Sequence, residues 1–520
     1  MIASRLIVRR TLYVFVIVPL VVATGLWVGI HYGSYAAGGS DSYGYLSQAP
    51  LWVRGDLHVK QPWVADMSWP GRDWSFAPLG YRPSSPDGTL VPTYPPGLPM
   101  LMALFLAAFG ANGPFYVVPI LGAFALMGTY LLGFELTRSR AVGVGAALLL
   151  LASPPFLAHL MLPMTDAPMA AGWTLAMYFA LRDPRPMPMV AGLMTAVMLL
   201  MRPNLLLLSA APMAAWIWPC VRGSNSWRDG LRSVARFAAG VAPAVAIVAV
   251  VNTRLYGSPL MSGYGGLSGD MYELGRAPQN LRAYFTWLIQ SQTPLVAFAA
   301  VPLFVRDAVR PDSQRASIRA GLAALFGLLI VSYIFYYVFD AWFYLRYLLP
   351  AMPALFVLMA AGIRVACRRL PLMAQVPASL LLVSCGIALP LRFAASQNIF
   401  TQYDFEQRYV IAAHYVEQLT TPKAIILAVQ HSGSVRYYAN RITLRYDYLA
   451  PDGLDAVLNE LIKKGYQPYI VMDDSEEPDF RRRFAATSRV GRLDWRPLVR
   501  IPSSPQVRIY DPEGRSSRTQ

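Results

Sequence analysis

A few charged side chains stand where the surrounding sequence gives charge little reason to be. Asp41 lies in Gly38-Gly39-Ser40-Asp41-Ser42-Tyr43-Gly44-Tyr45, shortly beyond a long apolar run. Asp166 lies in Leu162-Pro163-Met164-Thr165-Asp166-Ala167-Pro168, at the mouth of another such run. Arg202 occupies the turn Met201-Arg202-Pro203-Asn204, and Arg346 sits in Trp342-Phe343-Tyr344-Leu345-Arg346-Tyr347-Leu348-Leu349-Pro350. Arg254 follows in Asn252-Thr253-Arg254-Leu255-Tyr256. Ionisable groups at the edge of an apolar region are costly and are functional candidates by default. A carboxylate there can take the proton of an incoming hydroxyl. A guanidinium fork matches phosphate oxygens and can stabilise charge developing on a phosphate leaving group. Each residue also has a plain structural reading. Asp166 with Pro168 suits a capped helix start, and an arginine can snorkel to lipid headgroups. At this level an enzyme and a transporter both fit.

The elements that would position these residues are apolar throughout. The chain has 520 residues, 55% hydrophobic and 14% charged, against about 25% charged in soluble proteins. From Thr11 to Arg392 it is a succession of apolar runs broken by short polar or arginine-bearing segments. Runs of about 20 apolar residues cross a bilayer as helices, the form that satisfies the backbone within one segment. The net charge of +16 is not a nucleic-acid signature, because the arginines stand at the ends of apolar runs. That distribution follows the positive-inside rule.

Charge sets the expected topology. Arg5/Arg9/Arg10, Arg138/Arg140, Arg182/Arg185, Arg222/Arg228/Arg232/Arg236, Arg306/Arg310/Arg315/Arg319 and Arg364/Arg368/Arg369 go to the cytoplasm. The expected spans are 11–31, 114–136, 141–158, 166–181, 187–201, 203–219, 235–252, 284–305, 319–338, 348–363 and 372–391, about eleven in all. The N-terminus is then inside, and 11–31 is a retained span in place of a cleaved signal. The run 97–110 is short for a span and is expected to lie in the interface. Cys220 and Cys367 fall at cytoplasmic edges and Cys385 within a span, with neither a disulfide framework nor zinc spacing.

Two parts face outward in this topology: the first loop, 32–113, and the region 393–513. In the latter, Lys423–Gln430 and Gln467–Met472 read as strands around a helical Asp452–Lys464, a βαβ pattern. Residues 514–520 read as a disordered tail. The expected fold is an all-α polytopic membrane bundle over 1–392 with a small C-terminal α/β extracytoplasmic domain.

Four local patterns, in this order along the chain, resemble the GT-C membrane glycosyltransferases, the group containing protein mannosyltransferases and lipid A aminoarabinose transferases. They are Asp41 in SDSYGYLSQAPLW, then Thr93-Tyr94-Pro95-Pro96-Gly97-Leu98-Pro99, then Thr165-Asp166-Ala167-Pro168, and finally Tyr344-Leu345-Arg346-Tyr347-Leu348-Leu349-Pro350. Tyr256-Gly257-Ser258-Pro259 and Gln430-His431-Ser432-Gly433-Ser434 are weaker likenesses. The resemblance covers about residues 1–390. It implies inverting transfer of a sugar from a polyprenyl-phosphate donor to a lipid, glycan or protein acceptor, in a bacterial inner membrane. Asp41 would be the catalytic base and Asp166 a second catalytic acid residue. Arg202, Arg346 and Tyr344 would hold the donor phosphate, and Tyr43, Lys60, Tyr94, Arg254 and Tyr264 would contact substrate. No cofactor is required, and no metal ligand set is identified. In the aminoarabinose branch a Glu-Lys pair precedes the proline of the first-loop motif, whereas this chain has Thr93-Tyr94. That weighs against the aminoarabinose branch and against a metal. Lys60, in the same loop, could stand in for the missing lysine. The rival readings are a flippase for lipid-linked saccharides and a non-catalytic envelope assembly protein. No inverted repeat or matched pair of broken helices supports the former.

Overall fold

The computed structural model describes residues 13–265, 271–305 and 315–514. The Arg5/Arg9/Arg10 cluster, Arg306, Arg310 and residues 515–520 lie outside the described residues. Seven helices are long and apolar enough to cross a membrane: Tyr13–His31, Gly113–Thr137, Pro203–Val221, Trp227–Tyr256, Ala316–Ile334, Trp342–Cys367 and Leu372–Ser396. An eighth span forms if Arg140–Leu151 and Pro154–Leu160, bent by 66° at their junction, are taken together. The bend falls at Ser153-Pro154-Pro155, where proline nitrogens cannot continue the helical ladder.

The other three expected spans fall short as single helices. Asp166–Leu181 and Pro188–Met201 have 16 and 14 residues, or about 24 and 21 Å of helix against a core of about 30 Å. The segment expected over 284–305 breaks after Gln292: Thr293 has φ of +64° and Pro294 follows, so Ala277–Gln292 is separated from the 3₁₀ turn Pro294–Ala300. Arginines expected on the cytoplasmic side do stand at helix ends. Arg138, Arg182, Arg222 and Arg368 each occupy the position just after one.

The helices pack through small residues. A Cβ on Gly133 would lie 2.8 Å from the Cα of Gly143, so Gly113–Thr137 and Arg140–Leu151 meet backbone to backbone. Such close approach suits a setting where helix association depends on packing. Gly97–Phe109, the expected interfacial segment, is a helix of 13 residues.

The C-terminal region builds a five-stranded sheet. β1 (Tyr81–Pro83) and β2 (Leu90–Pro92) form a separate hairpin in the first loop. The large sheet contains β3 (Ala424–Leu427), β4 (Ile442–Leu444), β5 (Gln467–Asp473), β6 (Val499–Ile501) and β7 (Val507–Tyr510), in the order β4-β3-β5-β7-β6. β3 lies parallel to β4 and β5, with Ile425 opposite Ile442 on one side and Pro468 on the other. The helix Leu454–Lys463 links β4 to β5, so the expected strand-helix-strand pattern is present with an extra strand inside it. β7 returns antiparallel to β5 and β6.

The first loop is part of this sheet's core. Val64, Met67 and Phe76 are buried with Ile425, Leu444, Phe480 and Phe484. Above them the Arg436 guanidinium donates to Gln61 Oε1 (2.8 Å), the Phe76 carbonyl (2.6 Å) and Thr443 Oγ1 (2.7 Å). Tyr43 lies against Gly433, where any Cβ would enter its ring.

Candidate active site

Asp41 begins the short helix Asp41–Leu46. Its Oδ1 accepts a 2.5 Å hydrogen bond from the Tyr94 hydroxyl, which also lies 2.8 Å from Ser40 Oγ. Its Oδ2 lies 3.1 Å from Arg346 Nη1. Tyr94 reaches across this helix because Gly44 leaves room: a Cβ there would enter the Tyr94 ring. Gly80, with φ of +87°, closes on the same glycine backbone. Burial, and then the adjacent Asp41 carboxylate, push the Tyr94 phenol well above its ordinary range. It therefore stays protonated and serves Asp41 as a donor.

Asp166 stands at the start of Asp166–Leu181 and is fully buried. Arg202, in the extended turn after Pro188–Met201, donates from Nη2 to Asp166 Oδ1 at 2.6 Å and from Nε to Thr165 Oγ1 at 2.8 Å. Arg346 Nη1 lies 4.0 Å from Asp166 Oδ2. One guanidinium thus bridges the two acids, and two acids face two arginines. Breaking a buried pair by removing one partner is strongly destabilising, at about 3–5 kcal/mol. Tyr344 and Tyr347 flank Arg346, each ring centroid within 5.4 Å of its guanidinium carbon. Arg346 Nε is buried without a hydrogen-bond partner among the described residues.

These groups line one cavity of about 2510 Å³. Its walls divide by chemistry. Asp41, Tyr94, Asp166, Arg202 and Arg346 form a polar centre; Leu206, Leu207, Val245, Val248 and Val331 form an apolar flank within the helices. The remaining wall comes from the C-terminal region, including Glu406, Tyr409 and Gln430.

The structure sorts the sequence candidates. Asp41, Asp166, Arg202, Arg346, Tyr344, Tyr94 and Tyr264 line the cavity. Three others are placed elsewhere. Lys60 is exposed beside the bridge between Val59 and Leu90 and is not in the cavity wall. Arg254 is exposed near the end of Trp227–Tyr256 and also outside the wall. Tyr43 is turned away into the first-loop core. Sequence reading missed Thr165 and Tyr347, although both lie inside motifs it had singled out. It also missed His159, which lines the cavity from a short helix where its Nδ1 lies 2.8 Å from the Pro155 carbonyl. Among the described residues no group of three or more His, Cys, Asp or Glu side chains could hold a metal ion.

No protein-family model and no curated protein sequence matches the chain. Solved structures do. ArnT from Cupriavidus metallidurans bound to undecaprenyl phosphate superposes with a TM-score of 0.56 at 14% identity, covering 95% of this chain and 97% of that one. The Archaeoglobus fulgidus oligosaccharyltransferase in the apo form gives a TM-score of 0.58 at 13% identity, over 90% of this chain and 70% of its own. The oligosaccharyltransferase AglB of the same organism, in complex with an inhibitory peptide and a dolichol-phosphate, gives 0.53 at 13% identity, over 92% and 71%. The fold is that of the GT-C glycosyltransferases. Identities this low carry the GT-C architecture alone. They extend the likeness beyond the helical part that the motifs covered, since nearly the whole chain aligns.

Proposed function

We propose that this protein is an integral membrane glycosyltransferase that moves a sugar from a polyprenyl-phosphate donor to an extracytoplasmic acceptor, with inversion at the anomeric carbon. The observation that carries the reading is Asp41: a part-exposed carboxylate at a large cavity, held between a phenol and an arginine. Two of the structural neighbours were solved with undecaprenyl phosphate or dolichol-phosphate bound, which supports a lipid-phosphate ligand.

The chemistry follows from the charges. The donor phosphate binds Arg346, which has an unused Nε–H, and Arg202 behind it. Engaging phosphate draws Arg346 away from Asp41 and frees that carboxylate oxygen for the acceptor. Asp41 then takes the proton of an acceptor hydroxyl as its oxygen attacks the anomeric carbon. The new C–O bond forms on the face opposite the phosphate. The bond to phosphate breaks, and the lipid phosphate leaves with the electron pair, its charge balanced by the arginines. Asp166 keeps Arg202 and Arg346 oriented. The apolar flank at Leu206, Leu207, Val245 and Val248 suits the first prenyl units. By the positive-inside argument the cavity and the region 393–513 face the periplasmic side of a bacterial inner membrane, above a transferase unit of residues 1–392.

The test is genetic and chemical. Mass spectrometry of envelope lipids and glycans from a deletion strain should show one missing sugar. The wild-type gene should restore it, and Asp41→Asn, expressed at the same level, should not. Restoration by Asp41→Asn would sink the base assignment.

A further inference from the structure

The helix Gln402–Leu419 brings a second group of ionisable side chains to the cavity, away from the Asp41–Arg346 centre. Arg408 and His431 converge on Asp473, the last residue of β5: Arg408 Nε lies 3.4 Å from Oδ2 and His431 Nε2 lies 2.8 Å from Oδ1. All three are buried. This pairing satisfies Asp473 and leaves other groups without partners. Arg408 Nη2 donates to the Tyr409 hydroxyl at 2.9 Å, so that hydroxyl is already an acceptor. Its own proton has no acceptor among the described residues, although Tyr409 is only 3% exposed and lines the cavity. Glu406 lines the cavity as well, 12% exposed. No described group hydrogen-bonds its carboxyl, and Arg408 Nη1 is 4.0 Å away. The side-chain amide of Gln430 also lacks a partner among the described residues and lines the same wall.

Polar groups shut away from bulk water in folded proteins find partners; Tyr409 is buried, and Glu406 and Gln430 are only part-exposed, in the cavity wall. Here a donor, an acceptor and an amide that does both face one void, and a ligand that alternates donors and acceptors would satisfy all three. A sugar ring with neighbouring hydroxyls is such a ligand, each hydroxyl donating once and accepting. The exposed rings of Tyr403 and Tyr415, in the same wall, offer an apolar surface for its C–H face. The subsite touches the segment leading to the proposed base. A Cβ on Gly38 would run into both Glu406 and the Tyr409 ring, and one on Gly39 would lie 3.5 Å from the Tyr409 hydroxyl and 3.8 Å from Gln430 Oε1.

We infer that Glu406, Tyr409 and Gln430 form a saccharide-binding subsite of the cavity, which holds a hydroxyl-bearing sugar ring beside the Gly38–Asp41 segment. The inference rests on the glycosyltransferase reading for its purpose, but not for its test. Burial and the nearby Asp473 charge raise the Glu406 carboxyl to about 7 despite Arg408. Near neutral pH it therefore exists in both forms, able to donate as well as accept.

Binding is read without turnover. The full chain in lipid nanodiscs, free of sugar-headed detergent, is mixed with methyl glycosides of glucose, galactose, mannose and arabinose, and saturation-transfer NMR is recorded. At least one glycoside should give a signal. Glu406→Leu, Tyr409→Phe and Gln430→Ala should each reduce it at least five-fold, with Tyr409→Phe serving as the mildest structural change. Lys60→Ala, outside the cavity wall, should leave it in place. No signal from any glycoside, or a signal untouched by the three wall variants, would overturn the subsite. Undecaprenyl-phosphate-linked forms of the same sugars then separate two sources. Displacement of the glycoside assigns the subsite to the donor's sugar, and simultaneous binding assigns it to the acceptor's. Loss of the missing-sugar phenotype test with retained glycoside binding would remove the catalytic reading and keep the subsite.

Discussion

Arg346 is the residue that stands between both acids. It bonds Asp41, 305 positions away in sequence, and stands 4.0 Å from Asp166. The sequence made these acids and arginines visible one by one, because charge is expensive in an apolar stretch. It gave no sign of which acid would meet which arginine. Glu406 was invisible for a different reason. It sits in a polar, helix-forming stretch where a glutamate is ordinary, and only burial against Gly38 and Tyr409 makes it unusual. That burial has a consequence for stability. The folded Glu406 carboxyl titrates near 7 against an ordinary 4.5, so the folded state holds its proton more tightly than the unfolded chain does. Its contribution is fully present below the ordinary value and is lost as pH rises toward 7. The loss amounts to about 3 kcal/mol. Glu406→Gln has no such proton to lose. Thermal unfolding of both proteins in nanodiscs from pH 4 to pH 8 should show the variant gaining on wild type up to about pH 7 and level beyond it. Parallel curves would contradict the shift.

At the scale of elements, long apolar helices were legible from run length, and their ends from arginine. Several features escaped that reading. The break at Thr293-Pro294 is local backbone chemistry inside an apolar run, and hydropathy alone passes over it. β6 and β7 are three and four residues long, with too few residues for an alternation to register. The docking of the first loop on the sheet depends on pairs such as Arg436 with Gln61 and Phe76, more than 350 residues apart. Arg436 is a partly buried guanidinium that forms no ion pair among the described residues, and desolvation lowers it to about 10. Four hydrogen bonds to neutral acceptors hold it, so its removal leaves those acceptors unsatisfied. Arg436→Met is expected to cost about 2–4 kcal/mol and to loosen the first loop from the sheet. Limited proteolysis should then cut within residues 56–89 of the variant faster than in wild type, at temperatures where the sheet itself stays folded. Equal cleavage rates would show that the apolar contacts of Val64, Met67 and Phe76 suffice.

At the scale of the molecule, one cavity joins three environments: an apolar flank among helices, a charged centre at their ends, and a polar wall from the C-terminal region. That combination requires the first loop, the ends of Asp166–Leu181 and Trp342–Cys367, and residues 402–430 to lie on the same side of the membrane. The contacts between Gly38–Gly39 and Tyr409 make the requirement strict, because no bilayer can pass between residues in van der Waals reach. The orientation we propose for that side rests on the arginines. Arg182, Arg222 and Arg368 sit at the opposite ends of helical spans from Asp166, Arg202 and Arg346, and the positive-inside rule would make the arginine-rich side the cytoplasmic one. A phosphatase reporter, active only outside the cytoplasm, should be active when fused after Arg392 or after Asp56 and inactive when fused after Gly223. Activity after Gly223 with silence after Arg392 would invert the molecule and place the cavity on the cytoplasmic face. Activity after only one of Asp56 and Arg392 would contradict the single-sided cavity itself. The reporter series therefore tests the packing of loop against sheet as directly as it tests orientation.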